Sequence, residues 1–117
     1  MYDKNNIFAK MIRGEVEAEK IYEDQDVFAI NDIQPLAPVH ILVIPKGEYT
    51  SFDDFSSKAS VEEIAHFFKI VNLICKNLKL QDNGYRIVSN VARHGMQTVL
   101  HMHLHILAGD YLGKPVG

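Results

Sequence analysis

The chain has 117 residues, 47% of them hydrophobic, with 12 basic against 15 acidic side chains and a formal net charge of -3. That is enough apolar material for one compact core and too short a chain for several domains. The acidic balance excludes the basic footprint needed to grip a nucleic-acid polymer, and no apolar run approaches the ~20 residues of a membrane span.

From the start, Met1-Tyr2-Asp3-Lys4 lacks the charged-then-apolar layout of a secretory signal. Asn5-Asn6 offers a helix N-cap, and Ile7, Phe8, Met11 and Ile12 form an apolar stripe at helical spacing that closes at Gly14. Lys20 to Asp24 alternates as a strand, Gln25-Asp26 turns, and Val27 to Asp32 runs back as the second arm of a hairpin. Ile33 to Val39 carries Pro35 and Pro38, which supply no backbone donor, and is therefore a loop. It leads into His40-Ile41-Leu42-Val43-Ile44-Pro45, a β-branched run that reads as a central strand ended by proline, with His40 as a structural hydrogen-bonder at its start.

Glu48 to Lys58 is polar and small and reads as a surface connection. Ser60-Val61-Glu62-Glu63 is a capping box, and Ile64, Phe67, Phe68, Val71, Ile74, Cys75 and Leu78 keep the period of an amphipathic helix of about five turns. His66 lies off its apolar face and is expected in solvent, whereas Cys75 reads as a small buried hydrophobe. One cysteine cannot close an internal disulfide, so the expectation is a soluble protein of a reducing, cytoplasmic compartment. Asn83-Gly84 turns into Tyr85 to Asn90, another alternating strand, and Val91 to Val99, with Gly95 at its middle, is a loop able to cradle an anion. No βαβ alternation is present. The economical architecture is α+β: a five-stranded, mainly antiparallel sheet with the long helix on one face and the short N-terminal helix beside it.

The last strand carries the chemistry. In Leu100-His101-Met102-His103-Leu104-His105-Ile106-Leu107, period two puts three imidazoles on one side and Met102, Leu104 and Ile106 on the other. Three readings are open. Inert packing is costly, because each neutral ring needs its own donor and acceptor. A metal site would need all three rings on one ion, yet the outer α-carbons are four residues apart at about 3.3 Å each, and no Cys or acidic ligand lies nearby in sequence. Nucleophilic and acid-base work by imidazole itself suits a group that titrates near neutrality.

The run His101-Met102-His103-Leu104-His105-Ile106-Leu107 resembles the signature of the histidine triad superfamily, alternating histidines with apolar residues. Agreement extends over a single domain from about Asn6 to Gly117: Ile7-Phe8, Ile12-Arg13, Asp32-Ile33, Pro35, Ala37-Pro38, His40, Leu42-Val43-Ile44-Pro45-Lys46, Gly84-Tyr85-Arg86, Asn90 and Gln97. It is similar to the histidine triad nucleotide-binding branch, homodimeric purine nucleoside phosphoramidases and related nucleotidyl hydrolases. A third histidine at His105, where the transferase branch carries glutamine, points to hydrolysis.

The resemblance implies that His103 attacks the α-phosphorus of a nucleoside 5'-phosphoramidate or acyl nucleotide, that water then cleaves the nucleotidyl-histidine, and that neither metal nor cofactor is required. His101 would orient the site and His105 would contact phosphate oxygens or the departing amine. Asn90, Thr98 and the amides around Met96-Gln97-Thr98 would hold the phosphate, each donor being worth roughly 2.7–4 kcal/mol. Asp32 matches the ribose-binding acid, whereas Ile33, Ile30, Phe8 and Met11 match the walls around the base of an AMP-like purine nucleotide. Glu48, Met96 and Lys114 depart from the branch, which has histidine, glycine and tryptophan there. A dinucleoside polyphosphate hydrolase and a non-catalytic nucleotide-binding scaffold are the alternatives.

Overall fold

The computed structural model describes all 117 residues, in the order α1 (Ile7–Ile12), β1 (Lys20–Glu23), β2 (Val27–Asn31), β3 (Val39–Pro45), α2 (Phe52–Lys58), α3 (Val61–Asn77), β4 (Arg86–Val88) and β5 (Leu104–Ala108). The strands form one antiparallel sheet ordered β1-β2-β3-β5-β4. It is the α+β, five-stranded architecture expected from the pattern. Asn6 caps α1 by accepting the Ala9 amide at 2.9 Å, and Gly14 takes the left-handed turn after it at φ +76°. No helix is long and apolar enough to cross a membrane.

Two apolar layers sandwich the sheet. Val27, Ala29, Ile41, Val43, Leu104 and Ile106 face Phe55, Phe67, Ile70, Val71 and Ile74 on one side, with Met102 completing that core. The alternate residues Phe28, Ile30, Leu42 and Ile44 pack with Phe8 of α1 on the other. Cys75 is buried within the larger core, and burial pushes its thiol pKa up.

Three local expectations need correction. Residues 52–58 are helical: Ser51 accepts the Asp54 amide at 3.3 Å, Asp53 and Asp54 occupy the favourable first turn, and Phe55 is driven fully inside against Tyr49 and Phe67. The histidine strand begins at Leu104 and not at Leu100. Continuing the register of Val43 opposite Leu104 would set Met102 opposite Pro45, which has no N–H to give, and the ladder stops. His66 is tied down: its Nε2 lies 2.7 Å from Asp24 Oδ2, which also accepts the Tyr22 hydroxyl at 2.7 Å. The capping box is half used, since Ser60 accepts the Glu63 amide at 3.0 Å while the Glu63 carboxylate accepts from Tyr49.

Candidate active site

Pairing of β5 with β3 aligns His105 with Leu42 and Leu107 with His40. His40, Leu42 and Ile44 share one face of β3, so the imidazoles lie on the α1 side of the sheet. Phe8 meets the His103 ring edge-on at 5.0 Å and the His101 ring at 6.1 Å, and His103 and His105 are 5.1 Å apart. Four rings from sequence positions 40 to 105 thus form one row.

Their hydrogen bonds assign the tautomers. The Nδ1 of His103 lies 2.7 Å from the His101 carbonyl, which only accepts, so Nδ1 carries the proton and Nε2 carries the lone pair. Nε2 has no partner within the chain, and no buried side-chain nitrogen or oxygen lacks one, so the lone pair of this buried ring opens to the surface. His101 is fully buried with Nε2 donating to the Pro45 carbonyl at 2.7 Å. The Leu36 amide donates to His40 Nδ1 at 3.0 Å, which puts the His40 proton on Nε2. That proton faces His105 Nδ1 at 2.9 Å and Asp32 Oδ2 at 3.4 Å. Accepting at Nδ1 leaves neutral His105 with an Nε2–H that has no partner within the chain, its ring centroid 5.1 Å from that of His103.

Desolvation favours the neutral form of the three triad rings. Burial lowers the pKa of His101 and of His103, opposed in each by a hydrogen bond to a carbonyl. Burial, reinforced by His103 and His40, pushes His105 down to about 4. The ligand atoms of Asp32, His40 and His105 lie within 4.8 Å of one another, close enough to consider a metal. The donor set argues against one. Ligation through His40 Nε2 would move its proton to Nδ1, against the Leu36 N–H that already points there.

The sequence-predicted binding residues divide into those presented and those withdrawn. Ile33 is 94% exposed and Met11 is half-buried, whereas Phe8 and Ile30 are packed in the smaller core at 5% and 6% exposure. Asp32 Oδ1 accepts the Gln34 amide at 2.9 Å, a turn-forming bond, while Oδ2 looks toward the histidines. In the loop before the triad, the Met96 amide donates to Arg93 and the Gln97 amide to Ala92, so neither is free for a phosphate. Gln97 is a brace: its side chain accepts the Ala92 amide and donates to Thr50 and Val99 carbonyls at 2.6 and 2.9 Å. Gly95 sits where a Cβ would fall 2.5 Å from the Val91 carbonyl oxygen. Thr98 and the half-buried Asn90 side chain keep their donors uncommitted. The sequence reading missed Tyr2, whose hydroxyl lies 2.5 Å from His101 Nδ1, and also the Pro45 carbonyl and Leu36 amide, because partners so distant in sequence leave no local pattern.

A model of the HIT domain matches residues 13–112. A HIT-like protein of Rickettsia prowazekii is 48% identical over 96% of this chain and 93% of its own. Another, from Azospirillum brasilense, is 46% identical over 98% and 94%. Among solved structures, a HIT family hydrolase from Legionella pneumophila superposes with a TM-score of 0.88 at 35% identity, covering 97% of this chain and 100% of that one. A histidine triad nucleotide-binding protein from Candida albicans gives 0.79 at 29% identity, covering 97% and 85%.

Proposed function

The chain belongs to the histidine triad family, and from that premise we propose that it hydrolyses the P–N bond of purine nucleoside 5'-phosphoramidates, or the corresponding bond of acyl nucleotides, through a nucleotidyl-histidine. The observation that carries this reading is the unpartnered, outward-opening Nε2 of His103, with its proton held on the other nitrogen by the His101 carbonyl. A neutral imidazole so fixed has one lone pair to offer and one direction in which to offer it. The Legionella relative is named a hydrolase and the Candida relative a nucleotide-binding protein, and both names support the reading.

His103 Nε2 forms a bond to the α-phosphorus as the P–N bond to the amine breaks; water then displaces the imidazole and frees the nucleoside monophosphate. His105 Nε2–H donates to a phosphoryl oxygen or to the departing amine, and Thr98 and Asn90 supply further donors where charge accumulates. Asp32 has acceptor capacity left for a ribose diol, and Met11 and Ile33 supply apolar contact for the base. Lys114 and Glu48 are exposed charges that bear on leaving-group choice. A homodimer formed along β4 is supported by that strand's place at the sheet edge, by its exposed Ile87 and by the exposed Tyr85 just before it.

The test is to quench the protein within one turnover of adenosine 5'-phosphoramidate and map any adduct by mass spectrometry. A nucleotidyl group on His103 is expected. An adduct elsewhere, or turnover with none, removes His103 as the nucleophile.

A further inference from the structure

The Nδ1 bond that aims His103 ends on the backbone of His101, so the nucleophile is only as well placed as that residue. His101 is held from three sides. Its Nε2–H donates to the Pro45 carbonyl at 2.7 Å, Phe8 packs edge-on at 6.1 Å, and Tyr2 closes the third side with its hydroxyl 2.5 Å from Nδ1 and its ring centroid 5.5 Å away. With the His101 proton committed to Pro45, Nδ1 can only accept, and the phenol must donate. Burial raises the Tyr2 pKa, aided by Glu48 and opposed by Asn6, so the phenol keeps its proton through the neutral range.

Tyr2 lies outside helix and sheet, in a segment held by its own bonds. The Asn6 side chain donates to the Asp3 carbonyl at 2.8 Å, the Asn5 amide donates to the Asp3 carboxylate at 2.8 Å, and the Arg13 guanidinium donates to the Lys4 carbonyl at 2.7 Å. A half-buried phenol on a segment closed by two local turn bonds and tied to the end of α1 through Arg13 is a fixed donor. Without it, the inner nitrogen of a fully buried ring would lose its only partner.

We infer that Tyr2 is a positioning residue of the nucleophile: its hydroxyl locks His101 with the proton on Nε2, and His101 in turn presents the carbonyl that orients His103. This rests on the hydrolytic reading above. It also makes a claim about tautomers and hydrogen bonds that is measurable without turnover.

The decisive variant is Tyr2→Phe, which keeps the ring and removes the donor. The His101 Nδ1 resonance in nitrogen-15 spectra should move toward that of an unbonded imidazole nitrogen, with a smaller shift at His103. Single-turnover nucleotidylation should slow about three- to tenfold, the rate equivalent of one ordinary hydrogen bond, with KM unchanged. Adding p-cresol to Tyr2→Gly should recover rate where toluene does not. Unmoved His101 and His103 resonances in Tyr2→Phe would overturn the inference, as would an unslowed reaction or equal recovery with toluene. A wild-type protein that forms no nucleotidyl adduct would instead refute the hydrolytic reading, and the nitrogen resonances would still decide the role of Tyr2.

Discussion

The two faces of the sheet are built from alternate residues of the same strands, and they differ in what they bury. On the α3 side, fifteen buried residues, all apolar or sulfur-bearing, form a continuous core. On the α1 side only five do so, and the remaining area goes to His101, His103, His105 and His40. The first face stabilises by exclusion of water and needs no partner geometry. The second places nitrogen atoms in a low-dielectric setting and satisfies all of them except the Nε2 atoms of His103 and His105, which open outward. One face therefore supplies stability, and the other spends part of it on holding the three triad rings neutral and aimed.

Substitutions on opposite faces should separate those tasks. His103→Ala is expected to lower hydrolysis by at least about 10³-fold in a phosphoramidate assay while nucleotide binding, followed by calorimetry, persists. Phe67→Ala, on the other face, should cost about 3–5 kcal/mol in denaturant unfolding, with kcat of the folded fraction unchanged below its melting transition.

Acidification should act through the histidine face. A ring whose folded pKa lies below its unfolded 6.5 binds fewer protons folded than unfolded, so stability is fully present above 6.5 and declines as pH falls. For His105 the window runs from 6.5 down to about 4. The profile of kcat/KM should be level from 6.5 upward, with its acid limb below the ordinary histidine value, because protonation of His103 removes the attacking lone pair. An acid limb above 6.5 would contradict the burial of these rings.

Smaller effects belong to the loop between the faces. Gln97→Ala removes three bonds and should cost about 1–3 kcal/mol while raising KM, separable by paired melting and steady-state measurements. Met96 is held at φ +59°, where a side chain is strained. Met96→Gly should shift stability by less than about 1 kcal/mol, in the stabilising direction, since relief of that strain outweighs the added freedom of the unfolded chain.

Strong periodic or paired signals were legible in the sequence. The hairpin from Lys20, the proline-ended strand from Val39, the Ser60 cap and the alternating histidines all sit in patterns that local physics determines. The helix at Phe52 was obscured because seven residues give two turns, and its only inward side chain is Phe55. Its Ser51-x-x-Asp54 start was present as a signal, but lacked an apolar stripe after it. The pairings of His66 with Asp24, Tyr2 with His101 and Leu36 with His40 depend on which surfaces the sheet brings together, or on a loop closing on one ring, and no residue period encodes them. Resemblance pointed to Gln97 as a phosphate-binding residue, whereas its bracing bonds are visible only in the folded loop.

The central β3–β5 ladder has a temporal consequence. Residues 20 to 45 close two hairpins between neighbours in sequence, whereas Leu42 waits for His105 and Tyr2 for His101, separations of 63 and 99 positions. Such distant pairings carry the largest loop-closure entropy and set the pace of assembly. A nascent chain that has emerged only as far as α3 contains the segments of both hairpins and of the longest helix, but of the histidine row it has only His40. Activity should therefore switch on abruptly, when the last strand slots between two others rather than adding at an edge.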